Sequence, residues 1–161
     1  MTLTPQEEQK LEEFCAKAFD FARENDKESL EIMLNAGLNI NLANHKGNTL
    51  LMLAAYHNNI EVVKMLLERG AKVDKKNDKN QTPLAGVCFK GYTDMAKLLL
   101  EYGADPDIDN GMGLTPMNCA CMFRHKDIIP LLLKKSKKQL TLMQKISMFL
   151  MCVKDIRRDT F

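Results

Sequence analysis

The sequence predicts an all-α solenoid of stacked helix-turn-helix units, joined by short β-hairpin-like loops and ended by a C-terminal capping helix. The main observation is a repeat. Threonine and glycine each recur every 33 residues, at Thr49, Thr82 and Thr115 and at Gly37, Gly70 and Gly103. Apolar triplets recur in the same phase, at 32–34, 65–67, 98–100 and 131–133. A fixed period of this length is typical of repeat proteins in which each unit supplies one pair of helices.

The N-terminal unit differs from the others. Residues 4–22 start with Thr4 and Pro5, a helix-start pattern, and then carry apolar residues at spacings of three and four. A second helix is predicted over 28–35, ended by Gly37. Because this pair lacks the threonine entry of later units, we expect residues 4–43 to form a cap repeat with one polar face.

Three further units follow, at about 44–76, 77–109 and 110–138. In each, a threonine is placed to cap the first helix, and in two of them a proline occupies the first helical position. The predicted first helices span 50–57, 83–90 and 116–123. The predicted second helices span 61–69, 94–102 and 127–135. A glycine in the left-handed conformation is expected after the second helix, at Gly70 and Gly103.

The C-terminal end departs from the repeat, since Ser136 replaces the glycine. Residues 139–157 carry an apolar face at spacings of three and four: Leu142, Ile146, Phe149, Val153 and Ile156. We therefore divide the chain into a repeat domain, 1–138, and a C-terminal amphipathic helix and tail, 139–161. The helix is interpreted as a cap for the last repeat. A helix that binds a partner or a second copy is the alternative.

The unit resembles the ankyrin repeat. The matching positions of the second unit are Gly47, Thr49, Leu51, Leu53, Ala54, Ala55, Glu61, Val62, Val63, Lys64, Leu66, Leu67, Gly70, Ala71 and Val73. The chain departs from the family pattern where Met52, Ala85 and Asn118 replace the histidine of the first helix. Residues 86–88, Gly-Val-Cys, also stand where the pattern has Leu-Ala-Ala. The resemblance implies a non-catalytic protein-binding module, as in short bacterial ankyrin proteins.

Composition excludes little. The 161 residues are 45% hydrophobic and carry a net charge of +2, which gives no reason to expect a nucleic-acid partner. No apolar run approaches the roughly 18 residues of a membrane span, and the N-terminus lacks a signal-peptide core. Five cysteines at irregular spacing do not suggest a disulfide framework. We expect a cytoplasmic protein with no membrane partner.

Residues with catalytic or metal-binding chemistry are few. Cys119, Cys121 and His125 lie close in sequence, but the repeat register places both cysteines, like Cys88, at small core positions. Zinc sites more commonly show paired C-x-x-C spacing. We therefore expect no metal, no cofactor and no enzyme activity.

The resemblance implies that a partner binds the concave face, on the loop tips and the exposed side of the first helices. The tip positions are His45, Lys46, Asn48, Asp78, Lys79, Gln81, Met112 and Leu114. The helix positions are Tyr56, His57, Phe89, Lys90, Met122 and Phe123. One row, Tyr56, Phe89 and Met122, is apolar where solubility alone favours polar residues, which indicates a binding surface.

Protein binding through this groove is the function we predict. The alternative, drawn from the same resemblance, is an accessory or haem-carrier protein for a haem enzyme such as catalase, with Tyr56, His57, His125 or a cysteine as the iron ligand. We expect a monomer, or a weak dimer formed through the C-terminal helix.

Overall fold

The computed structural model describes residues 4–142, 144–146 and 150. The helices assigned in this part of the chain are α1 (Pro5–Glu24), α2 (Lys27–Asn35), α3 (Leu50–Tyr56), α4 (Ile60–Glu68), α5 (Pro83–Lys90), α6 (Thr93–Glu101), α7 (Pro116–Met122) and α8 (Ile128–Lys135). No strand is assigned in these residues, and the hairpin-like loops show one isolated bridge, between Ala43 and Thr49. The predicted all-α helix-pair fold is therefore confirmed.

The helices form two layers. The first helices of the units pack in order, α1 on α3, α3 on α5 and α5 on α7. The second helices form the other layer, where α2 contacts α4 and α6 contacts α8. Each unit thus packs mainly on its sequence neighbours, which is the arrangement expected of a solenoid.

The recurring threonines cap the first helices as predicted. Each side-chain oxygen accepts a hydrogen bond from the backbone N–H three residues later. The distances are 3.1 Å for Thr49 and 3.3 Å for both Thr82 and Thr115. Pro83 and Pro116 begin α5 and α7, where a missing N–H costs nothing. These bonds fix the residue at which each unit turns from loop to helix.

The recurring glycines end the second helices. Gly37, Gly70 and Gly103 have φ values of 99°, 86° and 87°. A Cβ added at any of them would meet nothing within 4 Å. The backbone conformation alone, and no shortage of space, therefore favours glycine at these positions.

The core is built from equivalent positions of successive units. Leu66, Leu99 and Leu132 are fully buried in the second helices, and Ala54, Val87 and Ala120 are fully buried in the first. Leu53, Ala54, Leu66 and Leu67, which we expected to face the stack, are all buried. Truncating a buried leucine of this kind to alanine costs about 2–5 kcal/mol of stability.

Neighbouring units are also joined by a ladder of polar side chains that the sequence analysis missed. Asn41, Asp74 and Asp107 are 33 residues apart. Each accepts a hydrogen bond from a backbone N–H in the outer turn of the next unit, donated by Lys72, Asp105 and Lys137 respectively, at 2.8, 3.1 and 2.7 Å. The third bond ties the segment after α8 to the solenoid.

For α1 to α8, predicted bounds differ from the structure by at most two residues, and α5 has the predicted bounds at both ends. Three second helices start one residue before the predicted acidic residue, at Lys27, Ile60 and Thr93, whereas α8 starts one residue after Asp127. α1 continues two residues past the predicted end, to Glu24. The acidic residues favour the first turn through the helix dipole, but they do not decide which residue is the first.

The C-terminal helix begins later than predicted. Helical residues are described at 142, 144–146 and 150, after a capping box in which Thr141 and Gln144 bond each other's backbone N–H. Gln144 is buried, whereas Leu142 and Ile146 are 73% and 44% exposed. The helix nevertheless contacts the last repeat, because the side-chain amide of Gln144 donates a hydrogen bond to Oδ1 of Asn118 in α7. Residues 143, 147–149 and 151–157 of the predicted helix, which include Phe149, Val153 and Ile156 of its predicted apolar face, lie outside the described part of the chain.

Candidate functional site

The predicted apolar row lies on the surface at the ends of the first helices. Tyr56 ends α3, Phe89 is the penultimate residue of α5, and Met122 ends α7. Their side chains are 42%, 44% and 64% exposed. Phe123, beside Met122, is also exposed. The repeat register thus predicted the outward direction of all four side chains correctly.

Aromatic contacts join these residues across repeats. The rings of Phe89 and Phe123 meet edge to face, with centroids 4.5 Å apart. The Nζ of Lys90 lies over the Tyr56 ring, 4.6 Å from its centroid. Such an aromatic pair contributes about 0.5–1.5 kcal/mol beyond its buried area, so Phe89 and Phe123 support the fold as well as line the surface.

A groove of about 770 Å³ lies between this row and the loop tips. All of the predicted positions line it except His57, Lys90 and Met112. Its floor includes residues that the sequence analysis treated as core or as plain helix, namely Met52, Leu53, Gly86 and Cys119. The groove therefore has an apolar floor and a polar edge, the composition typical of a ligand or peptide site.

The three excepted residues lie beside the groove. His57 is the C-cap of α3, and its ring approaches the Tyr56 ring at 6.0 Å between centroids. Lys90 covers the Tyr56 ring. Met112 is 98% exposed at the tip of the last loop, with a φ of 52°. Its exposure was predicted, but it does not line the cavity.

The last loop differs because another residue organises it. In the first two tips, the Oδ1 atoms of Asn44 and Asn77 each accept two backbone N–H bonds from within the loop. In the last tip Asp109 does this instead, binding the N–H groups of Gly111 and Gly113 at 2.8 and 3.0 Å. The organising residue of this loop thus lies one position earlier in the repeat. Asn110, the equivalent of Asn44, is therefore available for another contact.

Asn110 turns into the groove wall and is buried. Its Oδ1 accepts the N–H of Thr82 at 2.7 Å, and its amide group donates to the carbonyl of Ile108 at 2.9 Å. Asn110 was outside the predicted site. It joins the start of α5 to the last loop, and so holds two groove-lining elements together.

The cysteines divide into two environments. Cys88 and Cys121 are buried in the core as predicted, and burial raises the pKa of both thiols. Cys119 is half-buried: it packs against the core, where burial also raises the pKa of its thiol, and it lines the groove as well. On α7, Cys119 lies two residues from Cys121, about 200° around the helix, which brings one thiol into the core and the other to the groove.

The residues that the structure describes give no support to a haem or metal site. Nε2 of His125 lies 3.0 Å from the carbonyl oxygen of Phe89, so this candidate ligand is already engaged. Among the described residues, no group of three or more His, Cys, Asp or Glu side chains is arranged to hold a metal ion. In the same part of the chain, no helix combines the length and the apolar character that a membrane crossing requires.

Comparison with known proteins agrees with the repeat geometry. The family model for ankyrin repeats (3 copies) matches residues 19–77 and 70–143. A protein of Pseudomonas aeruginosa that is described as an ankyrin repeat protein is 49% identical over 59 residues. That alignment covers 35% of this chain and 34% of the relative. The similarity to this relative is therefore limited to about one third of either protein.

Proposed function

The chain belongs to the ankyrin repeat family, whose repeats generally mediate protein–protein interaction, and from this premise we propose that it binds a partner protein in the groove. Tyr56, Phe89 and Phe123 are the proposed anchors. The loop tips, with Lys46 and Lys79, form the polar edge that orients the partner. The module itself is proposed to carry out no catalysis.

One observation carries the proposal: three aromatic side chains from successive units lie exposed along one open groove. Exposed apolar clusters of this kind are uncommon on soluble proteins unless they serve binding. Aromatic residues are also the side chains that most often dominate binding energy at interfaces. The rigid helix ends present them in a fixed arrangement, which lowers the entropy lost on binding.

The test is a triple variant, Tyr56→Ala with Phe89→Ala and Phe123→Ala. Because the Phe89–Phe123 contact is lost, we expect a stability loss of about 1–2 kcal/mol rather than none. Partner capture from a lysate of the source organism should be abolished, since each anchor is expected to contribute about 2 kcal/mol or more to binding. The matched control is Ile32→Ala with Tyr102→Ala and Leu133→Ala, which removes three exposed apolar side chains from the second-helix layer.

The two variants separate the possible outcomes. Loss of one and the same captured protein in the groove variant, with retention in the control, supports the proposal. Retention in the groove variant and loss in the control would place the interface on the second-helix layer and overturn it. A second readout is alkylation of Cys119, which lines the groove. Bound partner should slow this alkylation, and unchanged alkylation would count against occupation of the groove.

A further inference from the structure

Gly86 lies in the middle of α5, where the fold does not require glycine. Unlike the glycines that end helices, it has no positive φ. A Cβ at this position would have one neighbour within 4 Å, the Cδ2 of Tyr56 at 3.5 Å, which is an ordinary contact distance. Glycine in a helix interior is less stable than alanine. A side chain at this position would therefore raise the stability of the fold and would disturb no packing.

The missing side chain leaves a gap in the groove floor. The equivalent residues of the neighbouring units are Leu53 and Cys119, which both line the groove with side chains. Between them Gly86 also lines the groove but is half-buried and has no side chain, and the Cδ2 of Tyr56 lies 3.5 Å from where its Cβ would be. An apolar side chain inserted here would contact the Tyr56 ring in the middle unit of the groove, and binding energy is usually concentrated near the middle of an interface.

The charges near this gap are mainly positive. Lys46 and Lys79 lie on the loop tips that line the groove, and Lys90 lies over the Tyr56 ring. No carboxylate of the described residues forms an ion pair with these three lysines. Asp78, an acidic residue that lines the groove, holds its carboxylate against Gly47 in the adjacent tip. The groove edge thus offers unpaired cations beside an apolar gap, which favours an anionic ligand.

We propose that the gap over Gly86 receives one bulky apolar side chain from an acidic segment of the partner protein, whose carboxylates meet Lys46, Lys79 and Lys90. This inference rests on the proposed function, since it names what the groove binds. It makes Gly86 the residue that decides specificity: a side chain at this position would occupy the space that the partner's anchor needs.

The experiment is selection of binding peptides from a random displayed library on the intact protein, followed by affinity measurements with synthetic versions of the enriched peptides. We expect the enriched sequences to contain one large apolar residue flanked by Asp and Glu. Replacing that residue by Ala should weaken binding about thirtyfold, the scale of a hot-spot residue. Enrichment of basic or wholly polar sequences, or no enrichment at all, would overturn the proposal.

Gly86→Leu tests the gap itself. The melting temperature should stay equal or rise by about 2 °C, because a helix former replaces glycine, and peptide affinity should fall about thirtyfold. Gly86→Ala should raise the melting temperature similarly and weaken binding less. Lys46→Gln with Lys79→Gln should lower affinity and its salt dependence together. A folded Gly86→Leu protein with unchanged affinity would refute the assignment of the gap.

The same peptides distinguish this inference from the proposed function. Phe89→Ala removes a groove anchor without filling the gap. Peptides that lose binding to Phe89→Ala but bind Gly86→Leu normally would leave the groove as the site and contradict the gap. Peptides that bind both variants as they bind the unaltered protein would contradict groove binding as well.

Discussion

The imidazole of His125 lies against Gly91, with its Nε2 3.0 Å from the carbonyl oxygen of Phe89. Asn59, two repeat lengths earlier, makes the equivalent contact: its amide nitrogen lies 2.8 Å from the carbonyl of Arg23. Both side chains reach back to the C-terminal end of a first helix, whose last carbonyls have no partner within the helix. The position thus has a structural role, which His125 performs with an imidazole and Asn59 with an amide.

We expect Gly91→Ala to cost clearly more stability than a glycine substitution at another helix end. Gly91 has a φ of 81°, and an added Cβ would overlap the His125 ring. Gly103→Ala is the matched control, because its φ is 87° and its Cβ would meet open space. Urea unfolding should give a loss of about 1 kcal/mol for Gly103→Ala, and of about 2–3 kcal/mol for Gly91→Ala.

A double-mutant cycle shows whether the histidine causes the larger stability loss expected for Gly91→Ala. In a His125→Ala background the steric overlap is absent. There Gly91→Ala should cost only about 1 kcal/mol, as the control does. An equal cost in both backgrounds would mean that the ring does not restrict this position.

Asn110→Ala should destabilise the protein by about 1–3 kcal/mol, because it leaves the buried N–H of Thr82 without its acceptor. Gln81→Ala is the control, as Gln81 is exposed beside the same helix start, and it should change stability by less than about 0.5 kcal/mol. Thermal unfolding followed by circular dichroism measures both. Equal melting temperatures for the two variants would show that Thr82 finds water or another acceptor.

Asp74 and Asp107 occupy the same repeat position, and their environments shift the pKa in opposite directions. Burial raises the pKa of Asp74, and the negative charge of the nearby Asp105 carboxylate raises it further. The hydrogen bond from the Asp105 N–H lowers this pKa but does not cancel the rise. At Asp107 burial also acts to raise the pKa. Hydrogen bonds from Ser136, Lys137 and Lys138 outweigh it, so that the pKa lies below the ordinary value of about 3.9.

Asp107 therefore stabilises the fold above the unfolded-state pKa, and this contribution is lost as pH falls through its lower folded-state pKa. Asp74 does the reverse: its charge is unfavourable above the raised folded-state pKa, and the penalty disappears as pH falls below about 3.9. At pH 7, Asp107→Asn should lower the melting temperature, whereas Asp74→Asn should leave it equal or higher. An asparagine at this position can still accept the hydrogen bond from the next unit, because the amide oxygen of Asn41 already accepts the equivalent bond from the N–H of Lys72.

Melting curves between pH 7 and pH 3 measure both effects. The deficit of Asp107→Asn should shrink toward low pH, because the unaltered protein then loses the charge as well. If both variants are destabilised equally at pH 7, the opposite environments described for these carboxyl groups would be wrong.

Native alkylation should distinguish the cysteines. Burial raises the pKa of the Cys88 and Cys119 thiols, but Cys119 is only half-buried and lines the groove, so it should react with iodoacetamide well before the fully buried Cys88. Cys121 should also react slowly. Mass spectrometry of the digested protein resolves each site. Modification of Cys88 as fast as Cys119 would show that the core opens locally, contrary to its packing.

The sequence by itself determined the repeat, its phase and its caps. These follow from contacts within a few residues, such as a threonine hydroxyl and the N–H three residues later, or from a backbone conformation that glycine favours. The period then carries the inside or outside direction of each position from one unit to the next. For this reason the outward direction of Tyr56, Phe89 and Met122 could be predicted without coordinates.

Only the tertiary structure decided the features that depend on neighbours across repeats. Asp109 organises the last loop and leaves Asn110 to bind Thr82, a change of one residue that the repeat pattern does not show. Cys119, which the register predicted as core, packs against the core but also lines the groove. Asp74 and Asp107 occupy equivalent positions of the repeat, but their pKa values are shifted in opposite directions. For Asn110 and for the two aspartates, the deciding contacts are with groups about one repeat length away in sequence and adjacent in space, namely Thr82, Asp105 and Lys137, which no local pattern specifies.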